Sequence, residues 1–91
     1  GVTYAEGLVD TAMRKGHRDS VDGRTIIGVR DRLRADGGAR RTLRTLWFRT
    51  YRYVQLDVET AGQPLVLHDV RGAFTGYPYE ERGRFASDAG W

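Results

Sequence analysis

The sequence predicts an all-β fold, an antiparallel β-sandwich or jelly-roll-like fragment of about five strands. The stretch 46–60, LWFRTYRYVQLDVET, is rich in aromatic and β-branched residues and contains neither Gly nor Pro, which is typical of a long strand. Shorter alternating runs bounded by turn residues lie on both sides of it. The one run with helical spacing, 7–15, has no broad apolar face and would be marginal as a helix.

The two faces of the stretch 46–60 differ in character. Its even positions, such as Val54 and Leu56, are largely aliphatic, whereas its odd positions, such as Trp47 and Tyr51, carry aromatic or polar side chains. This alternation belongs to an antiparallel sheet that packs one side on a core and turns the other side to water or a second domain.

The remaining elements are expected to be strands and turns. The polar segment 10–23 is predicted to form a hairpin excursion. Further strands are expected at 2–9, with Gly7 at a bulge or a close approach, at 24–35, with a mostly cationic outer face, and at 65–77, followed by an extended segment at 85–86.

Length and composition limit the class of protein. The chain has 91 residues, enough for one small domain with a thin stability margin. It has no Cys, which excludes a disulfide framework and a thiolate metal site. His17 and His68 show no ligand spacing, so neither a metal nor a cofactor is expected. The net charge of +3 comes from fourteen Arg and one Lys interleaved with twelve carboxylates, so nucleic acid is not the expected partner.

The two ends of the sequence favour an internal piece of a larger protein. The chain starts at Gly1 without Met, and in 87–91, SDAGW, helix N-cap residues appear with no helix after them. No apolar run is long enough to cross a membrane, and no signal sequence opens the chain.

Two charged residues interrupt otherwise apolar strand faces, Asp31 and Arg52. One hypothesis is that they form an ion pair across the sheet, in which the guanidinium satisfies the carboxylate. The alternative is that a bulge near Thr50 turns Arg52 to solvent.

The carboxylates do not form a catalytic pattern. Glu80 and Glu81 are adjacent and would point to opposite sides of an extended chain, so they cannot flank one bond. Asp57 and Glu59 share a face, but alternating acids at a strand end are typical of a solvated surface. No catalytic residue is therefore predicted in this chain.

Three long runs carry a family resemblance: TYAEGLVD (3–10), DGRTIIGVRDRLRADGG (22–38) and the stretch 46–88. They resemble bacterial α-L-rhamnosidases of glycoside hydrolase family 78, most specifically at WFRTYRYVQLDVET and FTGYPYE. The segment 7–20 departs from the expected shorter turn, which puts only that loop in doubt.

The resemblance implies a fold and a role. In that family such a segment is a β-sandwich immediately ahead of an (α/α)6 catalytic barrel, so 1–86 would be the accessory sandwich and 87–91 the start of the connection to the barrel. The parent would hydrolyse terminal α-L-rhamnosyl groups of a glycan or glycoside with inversion, using acids that lie in the barrel. The resemblance also implies a secreted or periplasmic protein without a cofactor.

The partner of this chain would then be the barrel itself. Trp and Tyr are favoured at half-wet interfaces, and the expected bracing residues are Trp47, Tyr51, Tyr77, Tyr79 and Phe85. The alternative is a stand-alone carbohydrate- or nucleic-acid-binding module that uses Tyr51, Tyr53 and the neighbouring arginines.

Overall fold

The structure is a computed structural model that describes residues 1–90. Within this range it has three β-strands and no helix: β1 (Val2–Ala5), β2 (Val29–Asp31) and β3 (Tyr53–Leu56). They form one antiparallel sheet in the order β2-β1-β3. The all-β prediction is therefore confirmed, and the sheet is smaller than expected.

Strand β1 lies in the centre of the sheet, with a partner on each side. Tyr4 lies opposite Val29 of β2 and opposite Val54 of β3. The β1–β3 pairing continues beyond the strands, because the Asp57 N–H donates to the Gly1 carbonyl at 2.9 Å and the Gly1 amine donates to the Asp57 carbonyl at 2.6 Å. Both edges of the sheet are built from residues that follow β1 in the chain.

The core is small and is formed by β1 and the residues just after it. Tyr4, Ala5, Leu8 and Val9 are the buried hydrophobic residues, and Thr3 is buried with them. This burial follows from the central position of β1, because a strand with neighbours on both sides loses the most contact with water.

The close approach of β1 and β2 leaves no room for a side chain at Gly28. A Cβ added at Gly28 would collide with the carbonyl oxygen of Tyr4. Because that obstacle is backbone, a side chain at position 28 could be accommodated only if β1 and the entry to β2 moved apart. The absence of a side chain at Gly28 therefore permits the observed β1–β2 spacing.

The segment 10–23 makes a turn-rich excursion without a helix, as expected. Val9 forms antiparallel bridges with both Lys15 and Thr25, so the chain leaves and returns beside the same residue. The carboxylate of Asp10 accepts a hydrogen bond from the Arg14 N–H at 3.0 Å, an interaction that closes a turn and competes with helix formation.

Three of the expected strands are shorter than expected, and two further expected extended segments form no strand. β1 covers only four residues of 2–9, β2 three residues of 24–35 and β3 four residues of 46–60. No strand forms within 65–77 or at 85–86. Backbone pairing explains the limits, since extended chain becomes a strand only where a neighbour satisfies its N–H and C=O groups, and β1 supplies that neighbour over four residues.

Within residues 1–90, no second sheet lies against the aliphatic face of β3. Val54 is 42% exposed and Leu56 is 41% exposed, so the predicted inside face of a sandwich is open in this structure. The segment 58–90, here called the C-terminal segment, contains no strand. The radius of gyration is 18.4 Å, compared with about 12 Å for a compact domain of this length.

Candidate functional site

The expected ion pair between Asp31 and Arg52 does not form. Asp31 Oδ1 accepts from Nη2 of Arg49 at 2.7 Å, whereas Arg52 pairs with Asp19. The physical reason is the late start of β3. Arg52 precedes the strand and donates its backbone N–H to the carbonyl of Ala5 at 3.0 Å, while its side chain extends to the segment 10–23. The alternative of an outward-turned Arg52 is closer to the result, since its side chain is 47% exposed.

A half-buried cluster of polar and aromatic groups surrounds the Asp31–Arg49 pair. It consists of Tyr4, Asp31, Arg49 and Tyr51, here called the Tyr4 cluster. The Tyr4 and Tyr51 rings are 5.4 Å apart and tilted by 50°, and the paired side chains are 24% and 19% exposed for Arg49 and Asp31. Asp31 Oδ2 and Arg49 Nε are buried without a hydrogen-bond partner among the described residues.

The Tyr4 cluster changes the acidity of its phenol. Burial raises the pKa of Tyr4 above 10.0, and the negative charge of Asp31 raises that pKa further. Both effects disfavour the phenolate, because it would be poorly hydrated and close to a second negative charge. The cluster joins residues of β1, β2 and the approach to β3.

Tyr51 and Tyr53 are both engaged within the chain. Tyr51 packs against Tyr4, and its hydroxyl lies close to Gly72, where an added Cβ would come within 2.5 Å of the oxygen. The Tyr53 hydroxyl donates to the carbonyl of Arg18 at 2.7 Å. These contacts leave less of both rings free to stack on a sugar or a base.

A groove with a volume of about 480 Å³ lies beside the segment 10–23. Three cationic side chains line it, together with one acid, one tyrosine and two glycines. Its lining residues, here called the basic groove, are Glu6, Gly7, Lys15, Gly16, Arg18, Tyr51 and Arg52.

The other expected bracing residues lie on the surface in separate places. Trp47 is 66% exposed and stacks beside Phe48, with ring centroids 5.2 Å apart. Tyr77 and Tyr79 are more than 80% exposed and stack on each other at 5.4 Å. Phe85 is equally open at 84% exposure. No ring pair among the described residues joins these groups into one patch.

Two of the carboxylates singled out in the sequence, Asp57 and Glu80, pair with arginines. Asp57 accepts from Arg30 at 3.3 Å, and Glu80 accepts from Arg82 at 2.6 Å. Over residues 1–90, no three His, Asp or Glu side chains come together in a group able to hold a metal ion. The same range contains no helix that could cross a membrane.

Sequence reasoning missed Arg49, Lys15 and Arg18. Arg49 had a usable signal, because a carboxylate on the apolar face of β2 needs a cation and Arg49 lies only three residues before Arg52. Lys15 and Arg18 had none, since a turn of irregular geometry brings them to Tyr51.

Fold and site together define a class: an all-β chain with a three-stranded antiparallel sheet, an open aliphatic sheet face and a basic groove. Comparison with protein-family models, with curated proteins and with solved structures finds no match to the chain.

Proposed function

We propose that the chain is a non-catalytic β-sandwich segment of an α-L-rhamnosidase and that it braces the helical catalytic barrel of the parent enzyme. The resemblance in WFRTYRYVQLDVET (47–60) and FTGYPYE (74–80) supports this proposal. In the parent, bond cleavage at terminal α-L-rhamnosyl groups is performed by acids of the barrel, and the substrate is a rhamnosylated glycan or glycoside.

The observation that carries the proposal is the amount of uncovered apolar surface. Large exposed aromatics are typical of interfaces. A large barrel packed against this surface would cover it. The large apolar residues of the C-terminal segment that are at least half exposed are Val58, Leu65, Val66, Leu67, Val70, Phe74, Tyr77, Tyr79 and Phe85.

The finer fold belongs to the same proposal. When the chain packs on the barrel of the parent enzyme, the segments 46–60 and 65–77 extend into full strands. They then complete a jelly-roll-like sandwich of about five strands over 1–86. Residues 87–91 then lead into the first helix of the barrel. Trp91 lies outside the described residues. The parent is proposed to be secreted or periplasmic.

The test compares the 91-residue chain alone with the same chain joined to the downstream polypeptide of its gene. We expect the short chain to bind a hydrophobic dye, to unfold in a broader transition than the longer chain and to release no rhamnose from an aryl α-L-rhamnoside. The longer chain should hydrolyse that substrate and bind less dye per molecule.

Interface variants sharpen this test. In the longer chain, Trp47→Ala together with Tyr79→Ala should lower the unfolding temperature, whereas Arg34→Ala, at an exposed cation of the same chain, should leave it unchanged. A sharp unfolding transition of the short chain without dye binding would contradict the proposal. Rhamnose release by the short chain alone would also contradict it.

A second candidate function is a stand-alone glycan- or nucleic-acid-binding module. The observation in its favour is that Tyr51 and Arg52 line the basic groove. It has weaker support, because Tyr51 and Tyr53 are held by Tyr4 and by the Arg18 carbonyl. Rhamnoside or oligonucleotide affinity of the 91-residue chain that falls on Tyr51→Ala would favour this module over the accessory segment.

A further inference from the structure

We propose that the basic groove binds a small ligand through an oxyanion group, either a carboxylate or a phosphate. The inference is independent of the rhamnosidase proposal, because it uses only the groove-lining residues and their neighbours. It assigns a binding site to the segment 10–23, which that proposal leaves without a role.

Charge is the first observation. The groove brings together Lys15, Arg18 and Arg52 with a single lining carboxylate, Glu6. Arg52 is already paired with Asp19. Lys15 and Arg18 have no carboxylate within ion-pair distance in the part of the chain that the structure describes. An oxyanion between them would supply the acceptor that both cations lack.

Arg24 is not itself a lining residue, but it lies directly behind one of them, Gly16. Its guanidinium lies against Gly16, where an added Cβ would come within 2.5 Å of Nη2. Arg24 Nη1 is buried and has no hydrogen-bond partner among the described residues. A buried donor without an acceptor is costly, and a ligand oxygen reaching past Gly16 could accept from it after a small rotation of the guanidinium.

The shape of the groove suits a small molecule. Its volume is about 480 Å³, within the range of about 300–1,000 Å³ that is usual for small-molecule sites. Gly7 and Gly16 carry no side chains, so a ligand can approach the backbone there. Tyr51 adds an aromatic ring to this lining. These features fit a sugar-sized ligand that carries a carboxylate or a phosphate.

The experiment is a titration of the ¹⁵N-labelled 91-residue chain, followed by amide chemical shifts. The probes are inorganic phosphate, glucuronate and, as a neutral control, glucose. Phosphate or glucuronate should move the amide signals of Gly7, Lys15, Gly16 and Arg18 in a saturable manner, and glucose should not. The tighter of the two anions identifies the source of the oxyanion.

Matched variants separate a site from general charge attraction. Lys15→Ala with Arg18→Ala should weaken anion binding at least about tenfold, because two direct charge-assisted contacts are lost. Arg34→Ala with Arg44→Ala removes the same charge from exposed positions and should change the affinity by less than about twofold.

Four outcomes would overturn the inference. They are the absence of saturable shifts with either anion, equal shifts with glucose, and equal weakening by the two double variants. The fourth is a spectrum without dispersed signals from β1, since the groove would then not exist in solution.

Discussion

The first 57 residues and the C-terminal segment, 58–90, behave differently although both are rich in β-forming residues. The first region contains all three strands and every buried residue of the described chain. In the second region, the only backbone–backbone hydrogen bond joins the Tyr79 N–H to the Tyr77 carbonyl. The difference teaches that apolar content does not order a chain unless neighbouring backbone is available to pair with it.

The largest expected effect comes from truncating equivalent side chains in the two regions. Leu8 is 7% exposed and Leu67 is 58% exposed. Leu8→Ala should lower the free energy of unfolding by about 2–4 kcal/mol, because it leaves a cavity in the core. Leu67→Ala should change it by less than about 0.5 kcal/mol. Urea denaturation followed by tyrosine fluorescence measures both, and equal losses would remove the contrast between the regions.

A smaller effect is expected from adding one methyl group in each region. Gly28→Ala should cost about 1–3 kcal/mol, because the new Cβ meets the Tyr4 carbonyl and β1 must shift away from β2. Gly83→Ala is the control, since nothing lies within 4 Å of a Cβ at that position. Thermal unfolding compares the two variants. If the Gly28→Ala protein were as stable as the unsubstituted protein, β1 and β2 would be spaced more widely in solution.

Breaking an ion pair should also cost more stability in the first 57 residues than in the C-terminal segment. Arg49→Ala should lower the free energy of unfolding by about 1–2 kcal/mol, because it leaves the carboxylate of Asp31, which is only 19% exposed, without its ion-pair partner. Arg71→Ala breaks the exposed pair with Asp69 and should cost less than about 0.5 kcal/mol. Adding Asp31→Asn to the Arg49→Ala variant should restore part of the loss in chemical denaturation. No recovery would mean that Arg49 acts through packing.

The smallest expected effect is the pH dependence that comes from Tyr4. Its pKa lies above 10.0 in the folded chain because of burial and the nearby Asp31, so the folded state keeps a proton that the unfolded state releases. This contribution to stability is present below pH 10 and is lost as the pH rises through the folded pKa. Tyr4→Phe should flatten the stability profile above pH 10, whereas Tyr79→Phe, at an exposed ring, should not. Unfolding midpoints measured between pH 8 and 11 test this.

The sequence predicts which segments favour β-strands but not which segments pair with each other. Period-two alternation correctly placed β1, β2 and β3 inside 2–9, 24–35 and 46–60. It could not give their ends, because a strand ends where its neighbour ends and neighbours are chosen by tertiary contacts. The run 65–77 shows the same limit, since its pattern is that of a strand but its backbone forms no hydrogen bond with another segment of the described chain.

The candidate site was less accessible to sequence reasoning than the fold. The hypothesis that Asp31 pairs with Arg52 was wrong, and the partner is Arg49, because a short β3 changes which arginine faces the carboxylate. The basic groove depends on the path of the turn after Asp10, where Met13 adopts a positive φ of 62°. Such geometry in a residue other than Gly is not encoded by periodicity.

The order of the strands also has a kinetic consequence. The central strand emerges first during synthesis, and its two partners follow some 25 and 50 residues later. Until both partner strands have been synthesised, β1 can pair with non-native segments. The sheet must therefore close two long loops before its hydrogen bonds contribute, a requirement that slows folding and favours assistance from chaperones.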